Sequence, residues 1–387
     1  MTGSIAILSD LCELVSLQVD PATMPESPYL GLEHLESGRL RAMGFGKASD
    51  ATSQKVAFEP DDVLYGKLRP YLDKAVLADR AGVATTELLV LRPKSDVSPE
   101  YLACVVHSPA FIEFARQGVT GAQHPRTSWA HIRTFALPAH DQSEQASIAK
   151  LLWCLFGLRM ATEGGIMSAS SLKRAAMQQL FTRGLRGEVQ KETEIGLVPD
   201  SWKVGPLGNF VQFQRGFDIT KSSQAQDGTI PVVSSGGVRS FHDVAAVNGP
   251  GVVIGRKGSI GSVHYVESDY WPHDTTLWSK DFLGNVPRFV FYRLQLVDMK
   301  RLDSGATNPA LNRNFLHAEV ISWPDVEAQQ EIVDVLDALD RKIDLNRRKR
   351  DALDRLFKSL LHKLMTGEIS VDNLDLSALP SIDGTAA

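Results

Sequence analysis

The sequence predicts an α+β protein: two mixed α/β globular domains, each followed by a long helix, with the two helices pairing as a coiled coil. Three observations carry that expectation. The chain repeats itself at a fixed shift, one stretch near its end holds a heptad of apolar residues, and its globular parts mix strand-like alternation with helical periodicity. A length of 387 residues exceeds one ordinary core.

The repeat is the most informative of the three. GAQHP at 121–125 resembles GATNP at 305–309, a shift of 184 positions. At that same shift Gln145 meets Gln329, Ile148 meets Ile332, Leu152 meets Leu336, Leu155 meets Leu339, Leu180 meets Leu364 and Thr182 meets Thr366. Upstream the register drifts but the pattern survives. DDVLYGKLRPYLDKAVL (61–77) resembles GVVIGRKGSIGSVHYV (251–266), and ATTELLVLRP (84–93) echoes HDTTLWSKDF (273–282). The resulting division is a globular domain over 1–140, a helical region over 141–190, a second globular domain over 191–324, a second helical region over 325–368 and a disordered acidic tail over 369–387.

Within the globular parts, strands are expected at 61–66, 86–91, 251–255 and 262–266, and helical stretches at 99–116 and 286–302. The turn formers of Thr193–Ser201 mark a linker. In the second helical region Ile332, Leu336, Leu339, Ile343, Asn346, Arg350, Leu353, Phe357, Leu360 and Leu364 follow a 4-3-4-3 spacing, which is a heptad seam. The first copy is weaker. Ile148, Leu152, Leu155, Ile166, Ala169, Ala176 and Leu180 fall on the same frame, but so do Arg159, Thr162 and Lys173, and Gly164-Gly165 is expected to break or loosen that helix. Taken singly, either helix also fits an amphipathic surface helix; two copies in equivalent places favour the paired reading. A helix over 325–365 would be about 60 Å long.

Composition narrows the function. Apolar content of 43% and charged content of 22% are those of a soluble globular protein. The longest apolar run, Leu151 to Leu158, is far short of the roughly 20 residues of a membrane helix. With no basic N-terminal start and three scattered cysteines (Cys12, Cys104, Cys154), the chain reads as a cytoplasmic protein with reduced thiols. The net charge is −5, and Glu368, Asp372, Asp375 and Asp383, in residues 366–387 with no Lys or Arg, account for four of those charges, so the rest stands at −1. Any nucleic-acid surface must therefore come from local basic patches.

The stretch NGPGVVIGRKGSIG (248–261) imitates a nucleotide loop, but neither the P-loop nor the dinucleotide spacing is met, and a strand-like segment follows it. Other enzyme signatures also fail. Asn308-Pro309-Ala310 lacks the second proline and the aromatic of an amino-methyltransferase motif, and Pro324-Asp325 with Asp340-x-Lys342 falls on a predicted helix where carboxylates cannot converge on a metal. His and Cys show no metal spacing, and Gly-x-Ser-x-Gly is absent, so no catalytic residue and no metal site is expected.

Two unlike heads held apart by a rod suit a measuring device. If the helices pair antiparallel, a pseudo-twofold axis relates the heads, which matches the local symmetry of duplex DNA and two half-sites about one or two turns apart. A peptide-binding scaffold would share that architecture. The motifs narrow the choice. DDVLYGKLRPYLDKAVL, EIGLVPDSWKVGPLG, IPVVSSGG, GPGVVIGRKGSIG, the helix start Gln329-x-x-Ile332 and the close Leu364-Met-Thr-Gly-Glu368 occur in an order that resembles the DNA-specificity subunits of type I restriction-modification systems, over about residues 1–370.

That resemblance implies two target-recognition domains, each followed by a helix, with the helices packed antiparallel. It implies double-stranded DNA as ligand, two methyltransferase subunits and two restriction-translocase subunits as partners, and no membrane. It places S-adenosylmethionine, ATP and Mg²⁺ on those partners and no cofactor on this chain, which itself does no bond chemistry. The alternative is an interaction scaffold or a degenerate specificity protein that reads no DNA.

Basic side chains for phosphates and Arg, Lys, Asn or Gln for base edges are the residue types that DNA recognition uses. The candidates are Lys67, Arg69, Tyr71, Arg126, Thr127 and Ser128 in the first head. In the second they are Arg215, Lys221, Arg239, His242, Arg256, Lys257, Ser259, His273, Asn312 and Arg313. Each also fits a solvated charge or an internal hydrogen bond. The run Arg347-Arg348-Lys349-Arg350 points several ways on a helix and reads as a solvated face or a partner contact.

Overall fold

A computed structural model of the chain describes residues 4–219, 228–302 and 310–376. The chain divides into two compact units, one formed by residues 1–164 with 346–387, the other by residues 165–345. Each unit combines α-helices and β-sheets.

In the first unit, an antiparallel sheet has the order Cys12–Val15, Leu88–Pro93, Val63–Gly66, Ala75–Leu77. A second sheet runs Gln18–Val19, Lys55–Phe58, Gly82–Ala84, Pro28–Leu30, Gly46–Lys47, with one parallel pairing between Pro28–Leu30 and Gly82–Ala84. Successive side chains of a strand face opposite ways, and Val63–Gly66 uses both faces. Val63 and Tyr65 enter a core with the helix Pro99–Val106, and Leu64 enters another with Leu30, Phe58 and Val76. The strand pair Ile5–Ile7 with Ala136–Pro138 completes the unit.

The second unit repeats this plan. Its four-stranded antiparallel sheet has the order Gln212–Arg215, Thr276–Asp281, Gly251–Gly255, Val263–Val266, and its strand pair is Lys203–Pro206 with Val320–Trp323. Val252 and Ile254 face the core under the helix Pro287–Leu294, whereas Val253 packs with Tyr270 and Trp278. Burying each such aliphatic side chain contributes about 1.5–3 kcal/mol. Among the described residues the second sheet here has three strands, Gly237–His242, Ile230–Ser234 and Trp271–Pro272, the last two parallel.

The long helices span Gln142–Arg183 and Val326–Met365. In the first unit Ile148, Leu152 and Leu155 share a core with Phe357, Leu361 and Leu364, and Arg159 Nη1 lies 3.2 Å from Asp354 Oδ1. In the second unit Met177 and Phe181 share a core with Ile332, Val333 and Leu336, and Lys173 Nζ lies 2.6 Å from Asp340 Oδ1. The N-terminal part of one helix thus meets the C-terminal part of the other in each unit. Of the expected seam, Ile148, Leu152, Leu155, Ile332, Leu336, Ile343, Phe357 and Leu364 are buried and Leu180, Leu339, Leu353 and Leu360 half-buried. The polar residues that weakened the first seam are accommodated. Arg159 and Lys173 find carboxylates on the other helix, and Thr162 Oγ1 donates to Leu158 O at 2.7 Å.

Several expectations need correction. The first long helix runs unbroken through Gly164-Gly165, because tertiary packing outweighs the helix propensity of two glycines. The stretch read as a linker is a hairpin, Gln190–Thr193 with Gly196–Pro199, whose turn residues serve a two-residue turn. The helical stretch 99–116 is two helices, since Ser108 and Pro109 start a new one at Pro109–Gln117. The stretch 286–302 is helical over Pro287–Leu294 and Met299–Leu302. The tail does not leave the fold at 369. Val371 is buried, and Ile369, Leu374 and Leu376 pack on the first unit's core. GATNP and the remainder of the tail from 377 lie outside the described residues. Among the described residues, no helix is long and apolar enough to cross a membrane.

Candidate nucleic-acid interface

In each unit, the loop that leaves a central strand is laced to the loop that precedes a short helix. In the first unit Lys67 N donates to Glu87 O at 3.0 Å, and Lys67 O accepts from Thr127 N at 3.0 Å. Arg69 N donates to Pro125 O at 2.7 Å, and Leu68 and Arg126 form an antiparallel bridge. Arg69 and Asp73 both adopt left-handed backbone (φ 52° and 50°), a conformation that costs free energy in residues other than glycine and that packing must hold. The loop therefore has one shape and presents Lys67, Arg69 and the half-exposed Tyr71 from it.

The second unit makes the same lacing with other residues. Arg256 N donates to Thr275 O at 2.8 Å, and Arg256 O accepts from Leu311 N at 2.9 Å. Lys67 corresponds to Arg256, Glu87 to Thr275, Thr127 to Leu311 and Arg126 to Ala310. Glycine is required in this loop. A Cβ on Gly255 would sit 2.1 Å from Ser259 O, and Gly258 has φ +74°. The tight turn puts Lys257 and Ser259 at the surface. The turn around Ser235 leans on it, with His264 Nε2 3.1 Å from Ser235 O. Next to it is a cavity of about 430 Å³ lined by Arg215, Arg256, Asn312, Arg313 and their neighbours.

The two clusters differ in charge. Arg126 forms a forked ion pair with Glu87, Nε to Oε2 at 2.9 Å and Nη2 to Oε1 at 3.1 Å. In the second unit Arg215 is partly matched, Nη2 lying 2.7 Å from Asp218 Oδ1 and 3.4 Å from Asp274 Oδ2. Arg256 and Arg313 have no side-chain hydrogen bond or ion pair among the described residues. His317 stands close by, with Nε2 accepting from Phe213 N at 2.9 Å; burial, and secondarily the charge of Arg313, lower its pKa below the usual imidazole value.

The candidates divide by position. Lys67, Arg69, Tyr71 and Arg126 come together in the first unit; Arg215, Arg256, Lys257, Ser259, His273, Asn312 and Arg313 do so in the second. Arg239 and His242 lie on the strand Gly237–His242, where His242 stacks on Trp271 at 4.8 Å. Thr127 is a correction, being buried with its hydroxyl facing the interior, so it supports the loop from beneath. Ser128 and Asn312 are exposed, but their side chains cap the short helices Trp129–Ile132 and Arg313–Ala318. Lys221 lies outside the described residues. Sequence reasoning missed Glu87, because a search for cations passes over the carboxylate that positions one. The nuclease-like carboxylates are structural, Asp325 accepting from Ala328 N and Asp340 pairing with Lys173.

A chain built from two like α+β units, each presenting one laced pair of basic loops, has the form of a duplicated recognition protein. Residues 199–355 match the sequence model described as the type I restriction modification DNA specificity domain. The chain is 26% identical over 308 residues to the putative type I restriction enzyme MjaX specificity subunit of Methanocaldococcus jannaschii, covering 73% of this chain and 71% of that protein. To the type I restriction enzyme MjaVIII specificity subunit of the same organism it is 22% identical over 394 residues, covering 93% and 90%. Its fold is similar to that of the type-I restriction-modification system S subunit from M. genitalium, with a TM-score of 0.65 and 14% identity over 94% of this chain and 96% of that one. Over most of its length the chain is thus similar to type I restriction enzyme specificity subunits, and residues 199–355 match their DNA specificity domain.

Proposed function

We propose that this chain is the sequence-reading subunit of a cytoplasmic type I restriction-modification complex. Each unit reads one half of an asymmetric, bipartite duplex site, and the two long helices, acting as an antiparallel coiled coil, set the spacing and dock two methyltransferase subunits. Two restriction-translocase subunits complete the assembly. The observation that carries this reading is the repeated lacing of two loops, Lys67 to Glu87 and Thr127, then Arg256 to Thr275 and Leu311. One backbone frame holds different side chains in the two units, as two unlike half-sites require. Base edges are read by side chains on rigid supports, and phosphates fix the register. The bond chemistry, with S-adenosylmethionine, ATP and Mg²⁺, belongs to the partners.

The test is a genome-wide map of N6-methyladenine in cells with and without this chain. An interrupted, non-palindromic motif that disappears with the chain is expected. A methylation pattern indifferent to the chain, or a continuous palindrome, rejects the reading.

A further inference from the structure

We propose that Arg126, clamped by Glu87, is a guanine-reading residue of the first unit. The inference rests on the DNA-specificity reading above and assigns one base to one side chain. Arginine has five N–H donors. Nε and Nη2 each spend one on Glu87, and Nη1 spends one on His124 O at 3.3 Å. One proton remains on each terminal nitrogen, and with His124 O taking the Nη1 proton on the Cδ side, towards the arginine's own loop, the two form the outward fork of the guanidinium in this proposal. Two parallel donors match N7 and O6 of guanine, and no other base offers two acceptors in that arrangement in the major groove.

The alternative target of an arginine is a phosphate, and here charge decides between the two. Glu87 already balances Arg126, and its carboxylate stands beside the position an anion would take, so a phosphate gains little attraction and meets a like charge. Guanine's acceptors are neutral and do not meet that repulsion. The backbone supplies the rigidity that base reading needs. Arg126 N donates to Thr120 O at 3.0 Å, Thr120 N donates to Arg126 O at 2.9 Å, and the bridge to Leu68 ties the pair to the neighbouring loop. The pair is particular to the first unit, since Ala310 and Thr275 stand at its places in the second.

The experiment compares methylation maps of cells whose complex carries the wild-type chain, Arg126→Lys or Glu87→Gln. Lysine keeps the charge and loses the fork. Arg126→Lys is expected to admit other base pairs at a single G·C position of one half-site, with discrimination there falling on the order of 10- to 100-fold, while the other half-site stays as it was. Glu87→Gln is expected to relax the same position. An unchanged motif in both variants, relaxation at an A·T position, or an even loss across all sites with the motif intact overturns the proposal. Misfolding of a variant is met by a second measurement on the wild-type complex, the binding of duplexes in which 7-deazaguanine replaces each guanine in turn. Loss of about tenfold at one guanine of one half-site is expected, and equal binding to every substituted duplex overturns the proposal irrespective of the variants. If the wild-type chain directs no methylation at all, the broader specificity reading falls, and this inference falls with it.

Discussion

Gln145 and Gln329 occupy one structural position in two different units. Gln145 Oε1 accepts from Ser98 N at 3.2 Å, and its Nε2 donates to His140 O at 2.9 Å. Gln329 Oε1 accepts from Val286 N at 2.9 Å, and its Nε2 donates to Pro324 O at 3.0 Å. Each ties the first turn of a long helix to the start of the helix packed on its unit's sheet. The duplication seen in sequence therefore extends to individual hydrogen bonds.

Both glutamines are buried, so truncation strands an N–H and a carbonyl away from water. Gln329→Ala and Gln145→Ala are each expected to destabilise the chain by about 1–3 kcal/mol. Gln329→Ala is expected to cost more, because Gln329 Nε2 also donates to Asn285 Oδ1 at 2.7 Å. Urea unfolding measures the cost, and hydrogen exchange at residues 286–288 and 98–100 locates it. Protection unchanged at the expected amides would show that the glutamines are not the ties described here.

The ion pairs between the helices give a second prediction. Lys173 meets Asp340, and Tyr292 Oη lies 2.6 Å from Asp340 Oδ2 and 2.5 Å from Asp337 Oδ1, its single proton shared between the two carboxylates. Asp340→Ala removes the acceptor of the partly buried Lys173 ammonium, while Tyr292 keeps Asp337, and is expected to cost about 1.5–3 kcal/mol. Lys173→Met in the same chain is expected to restore part of that loss, since an unpaired, mostly buried cation is worse than none. A double-mutant cycle by denaturant midpoint reads the coupling, and strictly additive losses would rule the pairing out as a stabilising contact.

The legible parts of the sequence were those whose signal is local or periodic. The seam from Ile332 to Leu364 announces itself by spacing alone, and the strand Gly251–Gly255 by a short apolar run between glycines. The clamp on Arg126 was not legible, because Glu87 lies 39 residues away and only the fold brings them together. Thr127 shows the converse limit. Its residue type suits a DNA contact, yet facing is set by the loop's path, and that path turns it inward. The hairpin at 190–199 was read as a linker because turn residues serve both equally well.

Acid is expected to weaken the chain through His317 and His140. Burial lowers the pKa of both below the ordinary imidazole value of 6.5, in His317 with help from Arg313 and in His140 against the pull of Glu144 and Asp141. A folded state that resists protonation binds fewer protons than the unfolded chain, so stability is complete above pH 6.5 and falls as pH drops below it, levelling once the folded state is protonated as well. Protonating His317 Nε2 also removes the acceptor of Phe213 N. Unfolding free energy measured between pH 5 and 7.5 is expected to slope downward towards acid, and His317→Gln is expected to reduce the slope. A variant with the wild-type slope would assign the acid sensitivity elsewhere.

The two clusters are expected to differ in their response to salt. Each phosphate neutralised by an unpaired cation adds about 0.9 to the steepness of log K against log salt concentration, because it releases condensed counterions. Arg256 and Arg313 have no side-chain partners among the described residues and line one cavity, so Arg256→Ala and Arg313→Ala are each expected to weaken duplex binding at every sequence and lower the slope by about one. Arg126 is already matched by Glu87, so Arg126→Ala is expected to leave the slope nearly unchanged while altering which sequences bind. Titrations of specific and scrambled duplexes with the chain–methyltransferase complex at several salt concentrations separate these outcomes. If Arg256→Ala alters sequence preference at an unchanged slope, that arginine contacts a base edge, and the phosphate anchoring must come from Lys257 and Arg313.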